Sequence, residues 1–147
     1  MNNTVWIFAA IFAGISASLQ SSITGGLSKK LSLAATLTLN TVVFTVIALI
    51  YWAWEISKNG FQKDQWRTLT PVEMTGGIFG FLLVLCLTLS FPRIGALYSV
   101  VLMILGQCVM ALIVDQFGLF NMPVQPISVS RVAAIGFLIV GVFLLNK

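Results

Sequence analysis

Residues 71–117 read PVEMTGGIFGFLLVLCLTLSFPRIGALYSVVLMILGQCVMALIVDQF. No charged residue stands between Glu73 and Arg93, and none between Arg93 and Asp115. Each run is long enough to cross a hydrocarbon core, which needs about 20 apolar residues. Pro71 suits the first turn of a helix, and this span is expected to continue to Phe91. Pro92 and Arg93 then predict a very tight turn, after which a second span runs from Ile94 to about Phe117. A stretch of this kind specifies consecutive membrane-crossing helices.

Working outward toward the N-terminus, Val5 to Leu27 forms an uncharged span with Trp6 near its start, where an indole suits the membrane interface. Gly25 and Gly26 are expected to release that helix. Ser32 is a plausible N-cap for the next span, which runs to Trp54 and ends in the aromatic belt Tyr51, Trp52 and Trp54. Glu55–Thr70 is the one polar linker, carrying five of the twelve charged residues. Beyond Phe117, a proline-marked connection from Gly118 to Pro126 leads to a fifth span. After Arg131 only 15 uncharged residues remain before Lys147. That is about 22 Å of helix, short of a core of about 30 Å. The helix is therefore expected to begin near Pro126, with Arg131 a turn or more inside it. An arginine so placed snorkels or finds an acid. Asp115, on the same membrane face, is the expected partner in a structural ion pair.

The fold class is thus all-α and integral to the membrane, one domain over residues 1–147. Its spans cover approximately 5–27, 32–54, 71–91, 94–117 and 127–146. The composition agrees: 59% of residues are hydrophobic, 8% are charged and histidine is absent. Residues 5–27 do not read as a cleaved signal peptide, because no Lys or Arg precedes them and four more spans follow.

Five spans place successive loops on alternate faces. The N-terminal face holds Lys58, Lys63, Arg67 and Arg131. The opposite face holds Lys29, Lys30, Arg93 and Lys147. The count is four against four. Lys/Arg bias in short loops sets orientation in the bilayer, so this chain carries no strong instruction about which way to insert. The simplest use of such a chain is insertion both ways and pairing with an inverted copy of itself.

Several function classes drop out. Without histidine there is no His-based metal site and no Ser–His or Cys–His nucleophile pair. The four acids, Glu55, Asp64, Glu73 and Asp115, are scattered over linkers and helix ends. No catalytic group, metal site or cofactor site is expected, and no basic cluster suits nucleic acid. Cys86 and Cys108 read as two small buried thiols. Glu73 is the sharpest ionisable candidate for proton coupling, but a carboxylate in a first helical turn is also favoured by the macrodipole.

What remains lies within the spans. Small residues recur at four-residue spacing: Ala10, Gly14 and Ser18; Gly76 and Gly80; Gly95 and Ser99. Gly14, Gly76, Gly80, Gly95 and Gly106 are the expected helix-packing positions, since small residues let membrane helices approach closely. Ser16, Gln20 and Thr24 form a polar stripe on span 1. Asn40 lies on span 2, and Gln107 lies mid-span 4. Uncharged amides inside a bilayer mark helix contacts or a water-filled path. Gln20, Asn40, Gln107, Thr24, Ser16 and Tyr98 are therefore the candidate lining of a substrate pathway.

Three stretches resemble the YdcZ-type family: Gly76-Gly77-Ile78-Phe79-Gly80; Pro92-Arg93-Ile94-Gly95-Ala96; and Gly106-Gln107 followed by Leu112-Ile113-Val114-Asp115-Gln116-Phe117-Gly118-Leu119. Pro126-Ile127-Ser128-Val129-Ser130-Arg131 with Gly136 and Gly141 also fits. Gln20 matches that family's span-1 glutamine, while Thr24 stands where asparagine is expected. The resemblance implies a half-size, five-helix unit of the drug/metabolite transporter superfamily, in the bacterial cytoplasmic (inner) membrane, that pairs with an inverted partner. It does not carry over drug–proton antiport, because span 1 lacks the embedded glutamate that small multidrug exporters use.

The expected function is transport of a small solute by alternating access, as an antiparallel homodimer. Two alternatives stay open: one half of a heterodimer with an oppositely oriented paralogue, and a non-transporting membrane scaffold or accessory subunit.

Overall fold

The computed structural model describes residues 3–61 and 70–145. Lys63, Asp64, Arg67, Asn146 and Lys147, which enter the charge and span readings above, lie outside the described residues. Among the described residues the fold is all-α, with five long helices, α1 Asn3–Leu27, α2 Leu33–Asn59, α3 Pro71–Ile94, α4 Ala96–Phe117 and α5 Val129–Leu145, and a single 3-10 turn at Leu119–Asn121. The first four are long and apolar enough to cross a membrane, and α5 is shorter. The chain divides into two compact units, Met1–Pro92 and Arg93–Lys147.

In the first unit, α1 packs against α2. The start of α2 is where Ser32 predicts it, with the Ser32 hydroxyl accepting a hydrogen bond from the Ala35 amide at 3.2 Å. Its end is not where the aromatic belt suggests. The helix continues past Trp54 to Asn59 and stops at Gly60, whose φ is +74°. Nothing in Glu55–Asn59 breaks a helix, and the Lys58 ammonium lies 3.9 Å over the Trp54 ring. That is an i, i+4 cation–π contact, and a lysine in the last turn also suits the helix dipole.

Thr70 caps α3 in a reciprocal capping box with Glu73: Glu73 N–H donates to Thr70 Oγ1 at 3.4 Å, and Thr70 N–H donates to Glu73 Oε2 at 2.7 Å. Glu73 is thereby given a local structural task at an exposed helix start.

Two helix boundaries differ from those the sequence predicts. Pro92 and Arg93 do not form the turn; both lie inside α3, which runs on to Ile94. A proline in a last turn removes one backbone bond without leaving enough helix beyond it to be broken. The break falls on Gly95, with φ +84° and ψ 156°, a conformation that glycine adopts without strain. Likewise Gly25 and Gly26 do not release α1, which contains both and ends at Leu27. Gly25 is a packing position instead. A Cβ on it would stand 3.2 Å from Phe91 Cβ and 3.6 Å from Pro92 Cδ.

The buried residues of this unit are few and unusually polar: Leu37, Leu87 and Phe91 with Ser21, Thr24, Thr36 and Thr88. Thr24 Oγ1 donates to the Gln20 carbonyl at 2.9 Å, and Thr88 Oγ1 donates to the Val84 carbonyl at 2.7 Å. Back-bonding of this kind satisfies a hydroxyl within its own helix. The Thr36 hydroxyl is fully buried and has no partner among the described residues.

In the second unit, α4 and α5 pack against each other. The last helix begins at Val129 and not near Pro126, because the Ser128 hydroxyl caps it by accepting from Arg131 N–H at 3.4 Å. Arg131 consequently sits in the first turn. The 17 residues of α5 span about 26 Å, below a full hydrocarbon core. The reading of both cysteines as buried fails for Cys86, which is exposed; Cys108 is half-buried.

Candidate functional site

Hydrophobic burial does not organise this chain internally. No more than 17% of the most apolar stretch of any long span is buried inside it. Lipid covers most of such a surface at no cost, but it cannot hydrogen-bond amides or hydroxyls. The informative side chains are therefore the polar ones on open faces at membrane depth.

In the first unit, Gln20 and Asn40 meet: Gln20 Nε2 donates to Asn40 Oδ1 at 3.3 Å. Asn40 lies about 10 Å along α2 from its first residue, inside the hydrocarbon region. Gln20 is exposed and Asn40 half-buried, so the pair tethers α1 to α2 with much of its hydrogen-bonding capacity still open. Ser16, one turn earlier on α1, is also exposed. Thr24, one turn later, is buried and back-bonded, which sets it apart from the other two members of the stripe.

A groove of about 630 Å³ lies beside α2, walled by Thr38, Thr41 and Thr45 with Leu37, Val42 and, from α3, Phe81 among its apolar residues. The sequence reading passed over this threonine ladder. Its signal was the spacing i, i+3, i+7, which puts all three on one helical face. None of the three hydroxyls makes a hydrogen bond among the described residues.

In the second unit, Gln107 stands at the middle of α4, exposed and without a hydrogen-bond partner among the described residues. Tyr98 is half-buried in the first turns of the same helix. Gln107 and Tyr98 belong to the second unit, the Gln20–Asn40 pair to the first.

Asp115 and Arg131 form a salt bridge, with Arg131 Nη1 donating to Asp115 Oδ2 at 3.2 Å and both side chains 36% exposed. The bridge is part of a larger clasp. Arg131 Nη2 also donates to Gln125 Oε1. Gln125 N–H donates to the Asp115 carbonyl at 2.8 Å, and Ile127 N–H donates to Gln116 Oε1 at 2.8 Å. The α4–α5 connection is thus bonded back onto the end of α4 at two points, and Arg131 of α5 bonds to the same end at a third. Gln116 and Gln125 were missed in the sequence, where a glutamine beside a proline carries no signal of its partner. A cleft of about 220 Å³ runs below the clasp between Cys108, Ala111, Leu112, Ala134, Ile135 and Leu138.

Of the expected packing glycines, Gly14, Gly76, Gly80, Gly95 and Gly106, none has any atom within 4 Å of where a Cβ would stand. Among the described residues, no atom outside their own helix backbone comes close to them.

One family model, described as "Putative inner membrane exporter, YdcZ", matches residues 5–144. No curated protein matches the chain, and no solved structure does.

Proposed function

This chain belongs to the YdcZ family, and from that premise we propose that it moves a small solute by alternating access as an antiparallel homodimer. The family's description as an exporter points to a transporter rather than an enzyme. The finer reading rests chiefly on Gln107. An amide at the centre of a 22-residue apolar helix, exposed and unpartnered, is costly against lipid. A second copy or a water-filled path removes that cost. In the first unit Gln20 and Asn40, paired yet open, are the candidate lining residues with Ser16 beside them, and Tyr98 is a further candidate in the second unit.

The balanced Lys/Arg count supports insertion in both orientations. Two inverted copies supply two equivalent states, and a site between inverted halves lies near the bilayer midplane, the depth of Gln107. Asp115 and Arg131 keep α4 and α5 in register beneath their connecting loop. The uncovered glycines of α1, α3 and α4 are surfaces on which a partner's backbone can lie close.

The test uses Gln107→Cys in a protein whose Cys86 and Cys108 are replaced. A small, membrane-impermeant thiosulfonate reacts only with a thiolate, which needs water. Labelling in intact membranes is the expected result. Complete protection would place Gln107 in a dry helix contact and favour the scaffold alternative. Gln107→Leu should abolish transport while leaving the dimer intact, and retained transport would remove Gln107 from the pathway. A single cysteine beside Lys29 checks orientation. About half of the protein should label from outside the cell, since a chain without bias populates both topologies about equally. All or none would require a separate inverted partner.

A further inference from the structure

The antiparallel homodimer leaves open which surfaces meet, and the following rests on that reading. We propose that two copies pair through the threonine face of α2, with Thr41 on the two-fold axis and Thr38 of each copy facing Thr45 of the other. The groove of about 630 Å³ beside this face is lined almost wholly by α2 itself, with Phe81 of α3 as its far wall. It is therefore an open flank of the first unit and not a gap closed by its own helices.

Three features favour a second copy over a lipid chain as the occupant. The first is chemical. Thr38, Thr41 and Thr45 are exposed, and none of their hydroxyls is hydrogen-bonded among the described residues. An acyl chain offers them no partner, whereas another hydroxyl is both donor and acceptor.

The second is positional. Thr38 precedes Thr41 by three residues and Thr45 follows it by four, so the ladder is nearly symmetric about Thr41. Turned end for end, it presents the same spacing, which is the self-complementarity that an isologous contact requires. A lone ladder with no such symmetry would fit a parallel copy equally well.

The third is depth. The apolar part of α2 runs from Ser32 to Trp54, so its centre falls near Val43, within about 3 Å of Thr41 along the axis. A two-fold axis relating inverted copies must lie in the plane of the bilayer and close to its middle. The ladder is centred where that axis has to pass. The equal Lys/Arg count on the two faces removes the electrostatic obstacle to the inverted copy.

The experiment is disulfide trapping in membranes, with Cys86 and Cys108 replaced. A disulfide needs Cα atoms within about 7 Å. Thr41→Cys should therefore cross-link to itself. Thr38→Cys and Thr45→Cys should each fail alone, since like residues of inverted copies stand about 10 Å apart along the axis. They should cross-link to each other when two differently tagged chains are co-expressed. Self-cross-linking at all three positions would mean a parallel contact and would overturn this inference together with the antiparallel reading. No cross-link at any position, in protein that the cysteine beside Lys29 reports in both orientations, would overturn the face alone and leave the inverted dimer standing.

An independent readout covers variants that assemble poorly for trivial reasons. Thr41→Trp should convert the detergent-solubilised dimer to monomer on size exclusion, while Val43→Trp, on the opposite side of α2, should not. A dimer retained by Thr41→Trp, or lost equally in both, would also overturn the assignment.

Discussion

Replacing Gly25 and Gly26 by alanine, one at a time, separates helix propensity from packing at a single point of the fold. The two are adjacent in the same helical turn, so each substitution gains the same intrinsic term, about 1 kcal/mol in favour of alanine. They differ in what the new methyl meets. At Gly26 there is nothing within 4 Å; at Gly25 the methyl would stand 3.2 Å from Phe91 Cβ. That carbon is fixed to the backbone of α3 and cannot swing aside by a rotamer change. The helices must separate by a few tenths of an ångström, and overpacking of this kind costs about 1–3 kcal/mol. Gly26→Ala should therefore be stabilised by about 1 kcal/mol, and Gly25→Ala should lie about 1–3 kcal/mol below it. For a domain of this size the gap corresponds to roughly 2–12 °C in unfolding midpoint. Thermal unfolding in detergent, followed by circular dichroism, reads it directly. Equal midpoints for the two variants would mean that α1 and α3 do not touch at Phe91, and the packing of the first unit would need to be redrawn.

Three further outcomes follow from local geometry. Asp115→Asn and Arg131→Gln should each lower stability by less than about 1 kcal/mol, because a pair this exposed is screened. Their double-mutant cycle should nevertheless return a nonzero coupling, and strict additivity would remove the ion pair. Gly118 closes α4 at φ +59°, and a Cβ there would fall 2.6 Å from Val124 Cγ2. Gly118→Ala should thus cost at least about 1–2 kcal/mol of left-handed strain, with Val124→Ala in the same chain recovering only the steric part of the loss in midpoint. Ser32→Ala should cost about 0.5–2 kcal/mol and Ser32→Asp much less, since an aspartate still caps; equal loss in both would mean that Ser32 does not cap α2.

Helix existence was legible because crossing a bilayer is a demand on composition over about 20 consecutive residues. Each helix end obeyed a more specific rule. Ser32 capped α2 as its residue type implied, but α2 outran Trp54 because Lys58 returns to that ring one turn back. Pro92 looked like punctuation and was absorbed in a last turn, leaving Gly95 to break the chain. The start of α5 falls at Val129, where the Ser128 hydroxyl caps it, while Gln116, eleven residues before Ile127, holds the preceding segment by its amide. Such bonds join residues whose local sequence gives no sign of one another. The same holds for the polar residues. Gln20 and Asn40 were each conspicuous as amides in an apolar span, but their contact across twenty residues was not.

What the amino-acid sequence determined alone is what depends on composition and on neighbours within a few turns. That covers five apolar helices, an even Lys/Arg count over the alternate loops, and amides at membrane depth. Tertiary structure decided which of these groups meet. Gly25 became a packing surface and not a helix stop. Arg131 gained Gln125 beside Asp115. Thr24 turned inward while Thr38, Thr41 and Thr45 were left open, and the glycines expected to pack met nothing among the described residues. The division has a physical cause. Lipid satisfies an apolar residue wherever it points, so hydropathy alone places the helices. A hydroxyl, an amide or a missing side chain has meaning only through the atom opposite it, and that atom is chosen by the packing of helices distant in sequence.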